Sequence, residues 1–222
     1  SKINVINIIC GTIFLLLAGT YLFYALEHRN TLKTLSTPIQ YLTAFFQSVT
    51  LRSAGFNSVD FSQLTHATQI MMLIFMLIGA GPGSTGGGIK ITSFVILCAS
   101  VYAYMKENKQ TVLFRKAVRP ELTRKVFISF FYSIGMIFLG LFFLSLSAPH
   151  ANVSNLLFET ISAFATVGVS SGITPQLNIN GKLILIFLMF AGKVGTLTLF
   201  SAVTLKKSNT KIEYPSANIN IG

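Results

Sequence analysis

NVSNLLFETISAFATVGVS, residues 152–170, has an earlier counterpart in PIQYLTAFFQSVTLRSAGFN, residues 38–57. Both open on an apolar segment of about 13 residues, roughly 20 Å of α-helix. That is too short to cross a hydrocarbon core about 30 Å thick. Pro38 and Ser154 are the expected helix starts. Each segment ends at a glycine, Gly55 or Gly168, flanked by small residues. Non-helical backbone after a half-crossing helix is tolerated at membrane depth only where it lines water or is buried in protein. The alternative is a helix lying flat on the bilayer surface. It requires two unrelated half-helices to share one kind of glycine turn.

A membrane setting follows from the rest of the chain. Of its 222 residues 52% are hydrophobic and only 10% charged, and that charge is too sparse to cover a water-soluble domain. Apolar runs near 5–26, 126–146 and 183–205 are each long enough to span a bilayer. The run over 65–104 is also long enough but is interrupted by glycines. The net charge of +11 falls between and after the spans, at Lys106, Lys109, Arg115, Lys116, Arg119, Arg124 and Lys125, and at Lys206, Lys207 and Lys211. Such loops mark the cytoplasmic side of a membrane protein. No basic stretch is interleaved with aromatics in a soluble context, so nucleic acid is not an expected partner. Cys10 and Cys98 lie inside apolar runs and read as small buried hydrophobes rather than a disulfide pair. The run from Val5 is too long for the core of a signal peptide.

The chain repeats itself. At an offset of 113 residues Gly55 falls on Gly168, Phe45 on Phe158, Ser53 on Thr166, Ser58 on Ser171 and Gly79 on Gly192. The expected units are 3–104 and 124–206, joined by a basic linker over 105–123 and followed by a cytoplasmic tail over 207–222. Each unit reads as spanning helix, half-helix, glycine turn and second helix. With Lys2 inside, the first helix runs outward and residues 38–60 dip in and return. The 105–125 loop is then cytoplasmic, and the second unit follows the same path. This arrangement puts eleven Lys and Arg inside and three outside, with Arg52, Lys90 and Lys193 at membrane depth.

A cation leaving water must exchange its hydration shell for other oxygens, and rings of backbone carbonyls can supply them. Glycine allows the backbone conformations such a ring needs. The two matched turns, Ser53-Ala54-Gly55-Phe56-Asn57 and Thr166-Val167-Gly168-Val169-Ser170, therefore read as carbonyl filters for an ion. With Leu51-Arg52 ahead of the first, Ala165 ahead of the second, and the run Gly81-Pro82-Gly83-Ser84-Thr85-Gly86-Gly87-Gly88-Ile89-Lys90, the sequence resembles the Ktr/Trk/HKT potassium transporter superfamily. The glycine-rich run points to the Ktr branch. The resemblance covers nearly the whole chain.

That resemblance implies an all-α integral membrane fold with two helix–pore loop–helix repeats, the third and fourth of a pseudo-fourfold potassium-channel-like pore. It implies K+ as the transported ion and a multi-pass location in a bacterial cell membrane. The implied partners are the bilayer, an N-terminal half carrying the first two pore units, a second copy of the full subunit, and a cytosolic nucleotide-binding regulatory ring. Sodium coupling is left open, and no catalytic residue is expected. The other class of function is a non-conducting structural or regulatory membrane subunit, in which the glycine turns hold no ion.

Gly81, Gly83 and Gly86 match the spacing of a dinucleotide-binding fingerprint. That fingerprint needs a preceding strand and an acidic residue about 20 positions on. Here the run interrupts a membrane segment, and no acidic residue occurs between Asp60 and Glu107. Nucleotide binding by this chain is not expected. The run instead breaks the helix. The offset puts Lys193 opposite Ala80, so a loop, Ala80 to Gly88, and a cation share one layer below the filters. An intramembrane Lys is costly and marks a functional position. Together they form the expected gate, and Lys here replaces the Arg usual in the family. Arg52 and Glu159 are expected to support the filters. His28, His66 and His150 are dispersed and suggest no metal site. Gly11, on a spanning helix, is expected to tolerate alanine.

Overall fold

The computed structural model describes residues 2–79, 81, 86–108, 110–113 and 116–195. The chain folds into seven α-helices among the described residues: α1 (Lys2–Glu27), α2 (Thr37–Thr50), α3 (His66–Leu77), α4 (Ile91–Met105), α5 (Pro120–Ser147), α6 (Val153–Phe164) and α7 (Ile179–Phe190). A short antiparallel ribbon joins α4 to α5, pairing Val112 with Ala117 and Leu113 with Lys116. Among the described residues α1 and α5 are long and apolar enough to cross a membrane. The expected tail over 207–222 and the end of the second unit, 196–206, lie outside the described residues.

Helix α1 packs on α2, α3 and α4, and α5 packs on α6 and α7. The two groups meet where α3 lies against α6 and α4 against α5. Small residues allow the close approaches, as is usual between helices without a hydrophobic drive to associate. A Cβ on Gly11 would stand 2.8 Å from Ile91 Cγ2, and one on Gly140 would stand 2.6 Å from Leu188 Cδ1. The expectation that Gly11 tolerates alanine is therefore corrected, because its bare face is the seat of α4. On Gly135 a Cβ would meet nothing within 4 Å, so that glycine is the tolerant one.

Outward faces of α1 and α5 carry exposed apolar side chains, among them Phe14, Leu17, Phe138 and Phe142. Cys10 and Cys98 are also exposed, which corrects their reading as buried. On a helix with lipid around it, an apolar side chain needs no protein neighbour to leave water. Sidedness is testable with impermeant thiol reagents in intact cells. A cysteine at Arg29 is expected to react and one at Lys116 to be protected; the reverse pattern would invert the topology.

The 113-residue offset persists through much of the structure. Short 3-10 turns occur at Phe61–Gln63 and Thr174–Gln176, followed by α3 and α7 at matching positions and of equal length, 12 residues each. The starts of the last two helices are capped alike: Thr65 Oγ1 accepts from Thr68 N–H, and Asn178 Oδ1 accepts from Gly181 N–H. For α6 the cap is Asn152, whose side chain accepts from Ser154 N–H, so the helix starts two residues before the expected Ser154. Pro38 lies in the first turn of α2, as its fixed φ favours.

The two halves part company at the matched glycines. Helix α7 continues past Phe190 into a π-turn, Ala191–Gly195. Helix α3 instead stops at Leu77, and the chain makes an excursion before α4 begins. The two ends of that excursion are stitched together: Gly79 N–H donates to Ile89 O at 2.7 Å and Ile89 N–H to Leu77 O at 3.1 Å. These bonds satisfy helix-end groups for which no water is at hand.

Candidate functional site

Helices α2 and α6 stop short because their last turns give way to left-handed backbone. Ser53 and Thr166 have φ of +66° and +54°, and Gly55 and Gly168 have φ of +77° and +90°. Left-handed backbone costs a β-carbon residue about 1–2 kcal/mol, so something must hold Ser53 and Thr166. Nearby hydroxyls fold each turn back on its helix. Thr50 Oγ1 accepts from Phe56 N–H at 3.0 Å and donates to Phe56 O, while Ser162 Oγ donates to Val169 O at 2.5 Å. The two turns lie side by side. A Cβ on Gly168 would stand 3.3 Å from Gly55 Cα, and one on Gly55 would stand 3.1 Å from Val167 O.

Both turns are braced from behind by a buried side chain. Glu159 Oε1 accepts from Ser170 Oγ at 2.6 Å, Ser171 N–H at 2.8 Å and Ser171 Oγ at 3.0 Å. Its Oε2 accepts from Thr174 Oγ1 at 2.6 Å. In the first unit Gln47 does this work: with its amide oxygen turned to the donors, it accepts from Ser58 N–H at 2.9 Å and Val59 N–H at 3.3 Å. The sequence comparison did not single out Gln47, because Gln47 and Glu159 are 112 residues apart, one short of the glycine offset. Glu159→Ala leaves several donors without an acceptor, at about 1–3 kcal/mol for each that stays dry. It is expected to lower the thermal unfolding temperature in detergent far more than Glu159→Gln, since an amide serves in the matching place.

A cavity of about 1100 Å³ runs along the exposed side of the turns. Ser53, Gly55 and Asn57 line it from the first turn, and Thr166, Gly168, Val169 and Ser170 from the second. Ala54, Phe56 and Val167 do not line it. Asp60 and Lys182 stand in its wall, as do Gly86 and Lys193. The Ser62 hydroxyl and then its backbone N–H hold the Asp60 carboxyl below the usual range, which keeps it charged.

Of the expected gate residues, Ala80, Pro82, Gly83, Ser84 and Thr85 lie outside the described residues. Gly86 and Lys193 reach the cavity, and Lys193 is exposed to it on the π-turn. The others sit behind the turns. Gly81 lies against Ile8, with Cβ space only to 3.2 Å from its Cγ2. Gly87 N–H donates to Thr166 Oγ1 at 2.6 Å, and Gly88 packs on Ala165. Gly192, the counterpart of Gly79, is seated so tightly that any Cβ would overlap the Phe164 carbonyl oxygen.

The cations at membrane depth hold backbone carbonyls. Arg52 Nη1 donates to Ile78 O at 3.1 Å and Gly79 O at 3.2 Å, so it grips the point where α3 breaks as well as flanking the first turn. Lys90 Nζ donates to Gly86 O. Sequence reading marked Lys90 only as a cation among apolar residues; its place four residues after Gly86 was the available signal. No group of three or more His, Cys, Asp or Glu that could hold a metal occurs among the described residues.

Broken helices, half-crossing helices and irregular backbone exposed to a polar cavity define the class of membrane proteins that move ions or small solutes. Residues 2–213 match the TrkH family of cation transport proteins, and the chain belongs to that family. It is 40% identical over 215 residues to Ktr system potassium uptake protein B of Vibrio alginolyticus, covering 96% of this chain and 47% of the relative. It is 32% identical to the potassium/sodium uptake protein NtpJ of Enterococcus hirae, covering 94% of this chain and 48% of the relative. Its fold is similar to the crystal structure of the potassium transporter TrkH from Vibrio parahaemolyticus, with a TM-score of 0.71 and 19% identity over 89% of this chain and 43% of that one. The chain thus spans about half the length of the relatives it matches.

Proposed function

We propose that this chain supplies two of the four units around a potassium-conducting pore, its filter carbonyls being those of Ser53 to Asn57 and Thr166 to Ser170. The observation that carries this reading is the meeting of Gly55 and Gly168, each at positive φ, each just after a half-helix, and both lining one cavity. The C-terminal ends of α2 and α6 stop beside these turns, so their partial negative charge favours a cation there. Relatives named for potassium uptake, and one for potassium and sodium uptake, support the choice of ion. The remaining filter quarters come from the rest of an assembled transporter.

Below the filters, the loop over 80–88 and Lys193 form the gate. Gly86 and Lys193 in one cavity wall support this assignment. Uptake into a potassium-uptake-deficient strain tests the function. The assembled transporter is expected to restore growth at low external K+ and to be stabilised against heat by K+. A well-expressed assembly showing neither would leave a non-conducting membrane subunit as the reading.

A further inference from the structure

The described ends of the glycine-rich excursion are both tied to the filter turns. On the entering side, Arg52 holds the carbonyls of Ile78 and Gly79, and its neighbour Ser53 is the left-handed residue of the first turn. On the returning side, Gly87 N–H donates to Thr166 Oγ1 at 2.6 Å, and Thr166 is the left-handed residue of the second turn. The fit on this side is close. A Cβ on Gly87 would stand 2.8 Å from Phe164 O and 3.0 Å from Thr166 Cγ2. The two attachments differ in kind. Arg52 is a charged donor shared between two carbonyls, whereas the returning side depends on one neutral bond to one hydroxyl.

Thr166 also lines the cavity. A threonine oxygen carries two lone pairs. A cation at the inner end of the second turn and the positive end of the Gly87 N–H dipole draw on the same oxygen and repel each other. We propose that Thr166 is a positioning residue that couples ion occupancy of the filter to attachment of the loop: K+ in the filter loosens Gly87 from Thr166, and release of Gly87 raises the filter's affinity for K+. Coupling of this kind is reciprocal by thermodynamic necessity. Arg52 keeps its grip throughout, so the loop swings from its entering end. The inference rests on the proposal that residues 166–170 bind K+ and that the loop is the gate.

The test uses the purified assembled transporter with Cys10 and Cys98 replaced by serine and a probe cysteine at Ser84. Thiol modification at the probe is expected to be at least about fivefold faster in K+ than in choline. Thr166→Val removes the acceptor with little change of shape; its modification rate should be high in both salts and differ between them by less than about twofold. Thr166→Ser keeps the acceptor and should behave as the parent does. The reciprocal measurement needs no change at Thr166: with the loop shortened across 82–85, the K+ concentration for half-maximal thermal stabilisation should fall at least about fivefold. Equal rates in K+ and choline for the parent, a parental K+ response in Thr166→Val, or an unmoved half-maximal concentration would each overturn the coupling. Should Thr166→Val fail to assemble, the loop-shortened protein decides alone. Unchanged flux together with a shifted K+ affinity in that protein would uphold the coupling and remove only the gate. Absence of any K+-dependent stabilisation would remove the filter and the coupling with it.

Discussion

Gly168→Val in the assembled transporter is expected to abolish selective K+ uptake. At φ +90° the backbone is in a region that β-carbon residues rarely adopt, and a Cβ there would stand 3.3 Å from Gly55 Cα. Strain of this kind costs about 1–3 kcal/mol, and branching at Cβ narrows the backbone further. Relief comes by moving the turn, and a turn that moves no longer aims its carbonyls at one point. A shift of that size corresponds to roughly a five- to 150-fold change in the population of the ordered turn. Flux should therefore fall by at least tenfold or lose its preference for K+ over Na+, and Gly55→Val should behave alike. Two further glycines sort the causes. Gly172 has φ +95° but open space around a Cβ, so Gly172→Ala tests strain without contact. Gly135→Ala, on α5, tests neither and should leave uptake unchanged. Well-expressed Gly168→Val and Gly55→Val transporters with parental selectivity would remove these turns from the filter.

What the sequence made legible was whatever repeats or interrupts. Two half-helices too short for a bilayer, each followed by a glycine, stand out by length alone, and the structure has helices α2 and α6 there. The break after Leu77 was readable because glycine and proline cannot hold a helix against lipid. Long-range partners were not readable. Arg52 is 26 residues from the Ile78 carbonyl it holds, and nothing local to either announces the pairing. Glu159 lies 11 to 15 residues before its hydroxyl donors, and the Ser- and Thr-rich stretch over 170–174 was the only hint. Gln47 was hidden for a geometric reason. The first turn is one residue shorter than the second between its hydroxyl anchor and its glycine: Thr50 precedes Gly55 by five, Ser162 precedes Gly168 by six. An offset fixed on the glycines therefore slides past the matching braces. Gly11 and Cys10 misled for a related reason. Within an apolar run, periodicity does not say which face meets α4 and which meets lipid.

The gate yields the other large effect. Residues 82–85 removed from the assembled transporter are expected to raise K+ flux strongly, because a steric block below the filter is lost while the anchors at Gly79 and Ile89 remain. Lys193→Ala is expected to raise it less. For unit charges about 8 Å apart, repulsion of a passing K+ is roughly 2 kcal/mol at an effective dielectric of about 20, and about 0.6 kcal/mol in bulk water. Lys193 is exposed to a cavity rather than buried, so the true value lies between these limits and flux should rise by about 3- to 30-fold. Lys193→Arg keeps the charge and should stay gated. The double change should give less than the product of the single effects, because both act on one barrier and groups on a shared barrier are not additive. The π-turn that carries Lys193 gives a further check. Tyr132 Oη donates to Ala191 O at 3.4 Å and helps seat that turn, so Tyr132→Phe should shift gating in the same direction as Lys193→Ala but by less. Uptake into a potassium-uptake-deficient strain at matched membrane expression measures all of these. Unchanged or lower flux in both Lys193→Ala and the 82–85 deletion would make the glycine run a packing device for the filter backs, consistent with Gly87 and Gly88 against Phe164 and Ala165, and not a gate.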